Sequence, residues 1–550
     1  MAAAPASADA QDDPARQPPF GGQHPPELVP AAGPDDRPPG FTVDAEEAGR
    51  LALATEAARE QLADAPPKDL RIFVRGERWQ VDLSEPGGEA VARIVLDGET
   101  GELVEELRDE QLGSELARGY EGAVAQKVNA PYVWLPLCVL FLLPFVDWRR
   151  PLRLLHLDLL VVLGLGASLY FFNRAEIEVS VALYYPFLGY LLIRMLVAGL
   201  FPRVRSGPLI PHVSVTALAI AAVLLAAGRI ALNVTDSQVI DVGVAGVIGA
   251  DRLVDGEELY AGGFSEGIDL RGDVYGPANY LAYVPAEQLW PWEGVWDDVP
   301  AAHVAAIGFD LLCALGLFAL GRRLRDGAEG KGLGLALAFA WLACPFTLYA
   351  MNANANDSLV AALGIGALLT LGSPTARGAL TALAAAAKFG SAALAPLFAT
   401  GTGERRWRSA AIFTLAFAAV AAGLVLPLLP DGGLRDFYDR TLGYQATRGS
   451  PFSVWGQAPS LDFLQPVARV AAVTLALGLA LWPRFRSPIQ VAALAAAATI
   501  AIQLTATHWF YFYVVWFLPF VLVAAFASQA RMLPAASSRS GSRADRAAAS

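Results

Sequence analysis

Residues 509–527 read WFYFYVVWFLPFVLVAAFA, nineteen positions without a charge. As a helix they cover about 28 Å, close to the depth of a bilayer's hydrocarbon core. Similar apolar runs recur through the chain, at about 130–146, 157–173, 179–200, 211–232, 301–320, 332–350, 358–371, 379–399, 409–428, 466–482 and 488–506. With 55% hydrophobic residues, 17% charged residues and a mean hydropathy of +0.41, the pattern excludes a soluble enzyme. It predicts an all-α polytopic membrane protein with about 11 to 13 transmembrane helices. The net charge of −12 argues against nucleic acid, which selects a basic face. Cys138, Cys313 and Cys344 all lie in apolar runs without CxxC spacing, so neither a disulfide framework nor a zinc site is expected.

Upstream of the first run the composition changes twice. Residues 1–40 carry ten prolines among Ala, Gly, Asp and Gln, too little apolar surface to offset ordering, and read as a disordered leader. Residues 41–125 read as a small α+β domain. Its parts are a helical pattern over 46–62, period-two stretches at 70–74, 79–83 and 91–96, and a turn at Asp97-Gly98-Glu99-Thr100-Gly101 before Leu103. The helix, the hairpin and the stretch LDGETGELVEELR resemble a PepSY-like module. Such modules are usually found outside the cytoplasm.

Lys and Arg bias in short loops sets the orientation. One side collects Arg149, Arg150, Arg153, Arg203, Arg205, Arg322, Arg323, Arg325, Lys331, Arg377, Arg405, Arg406, Arg408, Arg484, Arg486 and the basic tail 531–550. That side is expected to be cytoplasmic and the tail disordered. The alternation holds only if 379–399 enters and returns as two short halves turning at Lys388. The long polar segments 233–300 and 429–465 then face outward, as does the N-terminal domain. Because the chain opens MAAAPASADAQDDPARQPP without a basic n-region and apolar h-region, three accounts remain open. An upstream signal is missing, the first span translocates the tail, or that span is misread; the expectation adopted is an upstream extension.

Segment 233–300 is acidic and aromatic. Most of its acids read as a solvated face. Asp241 stands apart, because VIDVGVAGVIGADRLVDGEELY keeps apolar residues at helical spacing from Val239 to Leu253 and predicts an amphipathic interfacial helix with Asp241 at its start. There it serves either as an N-cap or as a catalytic group. The following GDVYGPANYLAYVPAEQLWPW reads as a second interfacial helix anchored by Tyr275, Tyr280, Tyr283, Trp290 and Trp292.

In order these elements are an outward helix, an acidic loop of pattern D-x-G-x-A followed by G-x-x-L/I-Y, a Y-G-P interfacial helix, an inward span ending GRRLRDG, and the hairpin AAAAKFGSAALAPL. Over roughly 210–527 this order resembles membrane glycosyltransferases of the GT-C superfamily, most of all the bacterial polyprenol-phosphate-mannose-dependent mannosyltransferases. The resemblance implies a GT-C-like domain over 209–530 preceded by three accessory helices over 130–208. It implies a polyprenyl-phosphate sugar donor, with mannose favoured, an extracytoplasmic glycan or lipid acceptor, and a multi-pass place in the cell membrane. It also makes Asp241, the acid of the first large external loop, the catalytic base.

The residue types suit that chemistry. Inversion needs a base opposite the leaving phosphate to take the acceptor's proton, and the phosphate needs fixed positive charge. Lys388 at the hairpin apex is the first candidate for that charge, against snorkelling or pairing with an acid such as Asp310. Arg271 and Arg252 are weaker. Asp310, well inside the span 301–320 where an acid costs roughly 2.5 to 3.5 kcal/mol, is expected to face a cavity or a partner. Asn352, Asn354, Asn356 and Asp357 form a turn in which Asp357 caps the next helix or binds sugar hydroxyls. Asp251, Asp273, Tyr275, Tyr444, Gln445, Arg448, Trp455 and His508 are further candidates for the sugar or acceptor, each with a bland alternative as loop, lid or aromatic belt. No HExxH, Walker or GxGxxG motif occurs, so no cofactor is expected, with a divalent ion on an acid pair left open. Two rival readings are a lipid-linked glycan transporter and a regulatory membrane protein acting through its N-terminal domain.

Overall fold

The computed structural model describes residues 28–55, 58–59, 69–84, 90–108, 125–174, 176–260, 264, 272–293, 299–447 and 450–533. The N-terminal unit is a five-stranded antiparallel meander, Leu28–Pro30, Asp69–Arg75, Arg78–Ser84, Ala90–Asp97 and Leu103–Arg108, taken in sequence order. Period two puts Trp79, Val81 and Leu83 on one face opposite Leu96, Ile94 and Ala92. The helix Ala45–Leu53 covers that face with Ala45, Ala48 and Ala52. It is capped by Asp44, whose carboxylate accepts the Glu47 N–H at 2.9 Å. The turn forms where expected. Asp97 accepts the amides of Glu99 and Thr100, and Gly101 takes a φ of +71°.

Two expectations are corrected here. Leu28–Pro30, inside the stretch read as leader, pairs with Phe73–Arg75 as an edge strand; residues 1–27 lie outside the described residues. The helix read over 46–62 is also interrupted: it ends at Leu53, Ala54 and Thr55 leave it and residues 58–59 are helical again, while 56–57 and 60–62 lie outside the described residues.

The described residues from 125 onward form a helical bundle. Among the described residues five helices are long and apolar enough to cross a membrane: Leu154–Phe172, Ile177–Leu200, Val215–Thr235, Pro300–Leu324 and Arg406–Leu428. A sixth span forms if Gly327–Ala343 and Pro345–Asn352 are taken together, bent by 58° at Cys344 before Pro345. The apolar helices Pro131–Leu142, Asp357–Leu369, Gln465–Leu481, Pro488–Gln503 and the 511–527 segment are shorter. Every residue of Val514–Ala527 is buried, which places this helix in the middle of the bundle. Arg406–Val425 buries only Phe413 and lies at the periphery.

The segment 374–400 breaks where the charge alternation required. Helix Pro374–Ala387 stops at Lys388, whose φ of −140° and ψ of 118° are extended, and a 3-10 turn Phe389–Leu394 leads into Ala395–Thr400. Each arm is about 21 Å long, too short for a bilayer. The arms return to one end: buried Arg377, near the start, donates to the carbonyls of Leu371 and Phe398 and, at 2.6 Å, to Ser409. Lys388 is thus the apex of a helical hairpin.

The described loop contacts gather at two ends of the bundle. At one end Arg205–Pro208 pairs in parallel with Gln529–Arg531, and Arg153 donates to Pro208 and Gln529. There too Gln490 reaches Gly199, and Arg486 reaches Thr400 and Gly401. At the other end Lys127 pairs with Asp236 at 2.6 Å, Tyr184 donates to Phe452, and Asp273 pairs with Arg440 across the two long polar segments.

Candidate functional site

The site forms where three sequence-distant segments meet at the second end. The first is the helix Asp241–Asp255, in which Gly243, Gly246 and Gly249 recur every third residue and share a face. A Cβ on these glycines would overlap the carbonyl of Asn354 and the rings of Tyr283 and Tyr280. Their absence lets the helix lie flat against the loop that follows it. Residues 242–250 are consequently buried all round rather than half immersed at an interface. Tyr280 and Tyr283 are likewise fully buried, which corrects their reading as surface anchors, whereas Trp290 is 44% exposed. The second interfacial helix is two short ones, Pro277–Leu281 and Val284–Glu287.

The second segment is the turn 352–356. Asn352 and Asn354 hold it against the start of the first: Asn352 donates to Asp236 at 3.0 Å, and Asn354 donates to Gln238 at 2.8 Å and accepts from Asn233 at 2.9 Å. The Ile240 amide donates to Ala353. Asp241 therefore begins its helix directly beside this turn. The N-cap position belongs to Ile240, and Asp241, half-buried, is one residue inside with Oδ1 accepting the Val242 amide at 2.7 Å.

The third segment is the hairpin apex. Lys388 Nζ donates to Asp357 Oδ1 at 2.8 Å, and the same oxygen accepts from Trp516 Nε1 at 2.7 Å. Tyr275, Tyr513 and Trp516 surround the ammonium with ring centroids 5.6 to 5.8 Å away. The Tyr275 ring reaches it because Gly276 packs directly on Ala386, where a Cβ would overlap the carbonyl oxygen. Asp357 makes no capping bond. It is the first residue of the helix Asp357–Leu369, after an N-cap Asn356 whose side chain bonds Asn279 instead.

Several polar atoms around this pair are buried without a hydrogen-bond partner: Asp357 Oδ2, Asn356 Oδ1, Asn279 Nδ2, Tyr283 Oη and Ser358 Oγ. Buried polar groups normally find partners, so five orphans in adjoining residues describe a site for a polar ligand or for water. Burial, and secondarily the Asp357 charge, push the Tyr283 hydroxyl well above the usual phenol range, so it stays a neutral donor. Among the described residues no group of three or more His, Cys, Asp or Glu is placed to hold a metal ion.

The remaining candidates lie elsewhere or are committed. Asp310 pairs with Arg229, at 2.6 Å to Oδ1 and 3.2 Å to Oδ2, and accepts from Trp341 at 2.8 Å. Its partner is thus Arg229 rather than Lys388. Asp273 is tied to Arg440 at 3.1 Å, clasping the loop 429–465 onto the loop 233–300. Asp251 interacts with Glu287, whose carboxyl is pushed up first by burial and then by the Asp251 charge. Trp455 donates to Leu504 at 2.9 Å, and His508 Nδ1 bonds Ser450 Oγ at 2.9 Å, fixing the loop around Phe452. Arg252 stacks on Phe264, 4.6 Å from its centroid. Arg271 and Arg448 fall outside the described residues. Sequence reasoning missed Asn279, Ser358, Trp516 and Arg229. For Asn279 the three-residue glycine spacing of the facing helix was a usable signal, since it marks a flat surface onto which something must pack.

No curated protein sequence matches the chain. The family model described as Glycosyltransferase family 87 matches residues 274–528, from the loop beside Tyr275 through the Lys388 hairpin to the buried helix carrying Trp516, and this match supports a membrane glycosyltransferase.

Proposed function

We propose that the chain transfers a sugar, mannose by resemblance, from a polyprenyl-phosphate donor to a glycan or lipid acceptor by inverting displacement, with the site end facing out of the cytoplasm of a cell membrane. The observation that carries this reading is the partly used lysine. Nζ has three donors, among the described residues its one hydrogen-bond acceptor is Asp357 Oδ1, and its side chain is 10% exposed. Two N–H groups are left for the oxygens of a leaving phosphate, in a setting where a cation is too costly to hold idle. Asp241 takes the acceptor's proton as the acceptor oxygen bonds to the anomeric carbon and the bond from that carbon to the phosphate oxygen breaks, the electron pair leaving with the phosphate. The orphaned atoms of Asn279, Tyr283, Asn356, Asp357 and Ser358 suit the hydroxyls of a sugar.

The test is transfer from radiolabelled polyprenyl-phosphate mannose by the purified full chain. Asp241→Asn is expected to lower turnover by on the order of 10² to 10⁴ while donor binding persists. Lys388→Met is expected to lower both. Near-normal turnover of Asp241→Asn at wild-type melting temperature overturns the assignment.

A further inference from the structure

At the end of the bundle opposite this site lies a cavity of about 1020 Å³, between the ends of Ile177–Leu200 and Pro300–Leu324 and the strand pair Arg205–Pro208 and Gln529–Arg531. It is as large as sites that hold drug-sized ligands. Five arginines line it, 194, 203, 205, 325 and 531, against the two acids Asp326 and Glu329. Arg194 is spent on Asp158 at 2.8 Å and Arg325 on Glu329 at 3.0 Å. Among the described residues no carboxylate pairs with Arg203, Arg205 or Arg531.

The backbone makes this crowding obligatory. Arg205 N–H donates to Ser528, and Leu209 N–H to Arg531, so the two strands hold Arg205 and Arg531 in one wall. Burial, and then the neighbouring Arg194, push the Arg205 guanidinium below its usual range, against the opposing charge of Asp158, which lies beyond ion-pair distance and is itself bonded to Arg194. The rim is apolar and open to the outside: Val204 is 83% exposed, Phe201 59% and Val197 48%. In a soluble protein these would be stranded, whereas at the end of a membrane helix they face acyl chains.

We propose that this cavity binds the phosphate headgroup of an anionic phospholipid from the adjacent leaflet. The uncommitted guanidinium groups are donors to its phosphate and the Val197, Phe201 and Val204 rim lies along its acyl chains. The assignment is independent of the transfer chemistry at the other end.

The test measures thermal unfolding of the detergent-purified full chain with added phosphatidylglycerol, phosphatidylcholine or inorganic phosphate. Phosphatidylglycerol is expected to raise the unfolding temperature, and the other two are not. Arg203→Gln combined with Arg205→Gln should weaken the phosphatidylglycerol response about 30-fold in concentration, from the usual contribution of two basic side chains to anionic-lipid binding. Lys331→Gln combined with Arg408→Gln removes the same charge from exposed positions outside the cavity and should leave the response intact. Equal stabilisation by phosphatidylcholine, an equal effect of inorganic phosphate, or an equal loss in the two double variants would each overturn the proposal. The wild-type comparison of the three additives decides even where a variant fails to fold.

Discussion

Replacing Asp357 by Asn removes a charge without removing volume. The carboxylate is 1% exposed and holds Lys388 Nζ at 2.8 Å and Trp516 Nε1 at 2.7 Å. Breaking one member of a buried ion pair costs about 3–5 kcal/mol, because the other charge is left uncompensated. Here the amide oxygen still accepts both donors, and three aromatic rings 5.6 to 5.8 Å from Nζ retain part of the stabilisation, so about 2–3 kcal/mol is expected. The assay is thermal unfolding in detergent, with and without a short-chain polyprenyl phosphate. Asp357→Asn should unfold earlier than wild type and gain more from the phosphate, since its lysine now lacks a counter-charge; saturation at 100 times Kd is worth about 2.7 kcal/mol. Asp357→Asn combined with Lys388→Met should be less destabilised than Asp357→Asn alone. If Asp357→Asn unfolds with the wild type and responds equally to the ligand, the carboxylate does not hold Lys388, and the phosphate role loses its support.

Arg229→Met should be strongly destabilising, by about 3–5 kcal/mol, because Asp310 remains buried and charged, while Arg229→Met with Asp310→Leu should recover much of it; denaturation midpoints of the two proteins check this. Gly276→Ala forces a Cβ into the Ala386 carbonyl. It should cost about 1–3 kcal/mol and lower transfer by displacing Tyr275 from Lys388. Glu287, 3% exposed, has its carboxyl raised from 4.5 by burial and by Asp251, so the folded state binds the proton more tightly than the unfolded chain. Its stabilising contribution is therefore whole below the unfolded value and is lost as pH rises through the raised folded value. Glu287→Gln, fixed neutral, should match wild type in acid and unfold later at neutral pH, as a melting-temperature profile across pH 4 to 8 would show.

Much of this architecture follows from near-neighbour patterns along the chain. Alternation at 79–83 and 91–96 fixed two central strands to within a residue or two, and the DGETG turn between the last two strands followed from Asp and Gly chemistry. Apolar run length marked the bundle helices. The basic loops, with one apolar segment too long for a single span, required the turn at Lys388. The strand Leu28–Pro30 escaped because an edge strand of three residues has no period to detect and exists only through its pairing with Phe73–Arg75. The cost of an intramembrane acid demanded a partner for Asp310 but could not choose among the cations. Arg229, 81 residues away, is selected by the packing of two helices. The same holds at the site: Asp357 meets Lys388 across 31 residues and Trp516 across 159. Local sequence sets helix, strand and turn because their hydrogen bonds and periodicities close within a few residues. Which charges meet, and which polar atoms are left without partners, is decided only when the apolar faces have packed and brought distant segments together.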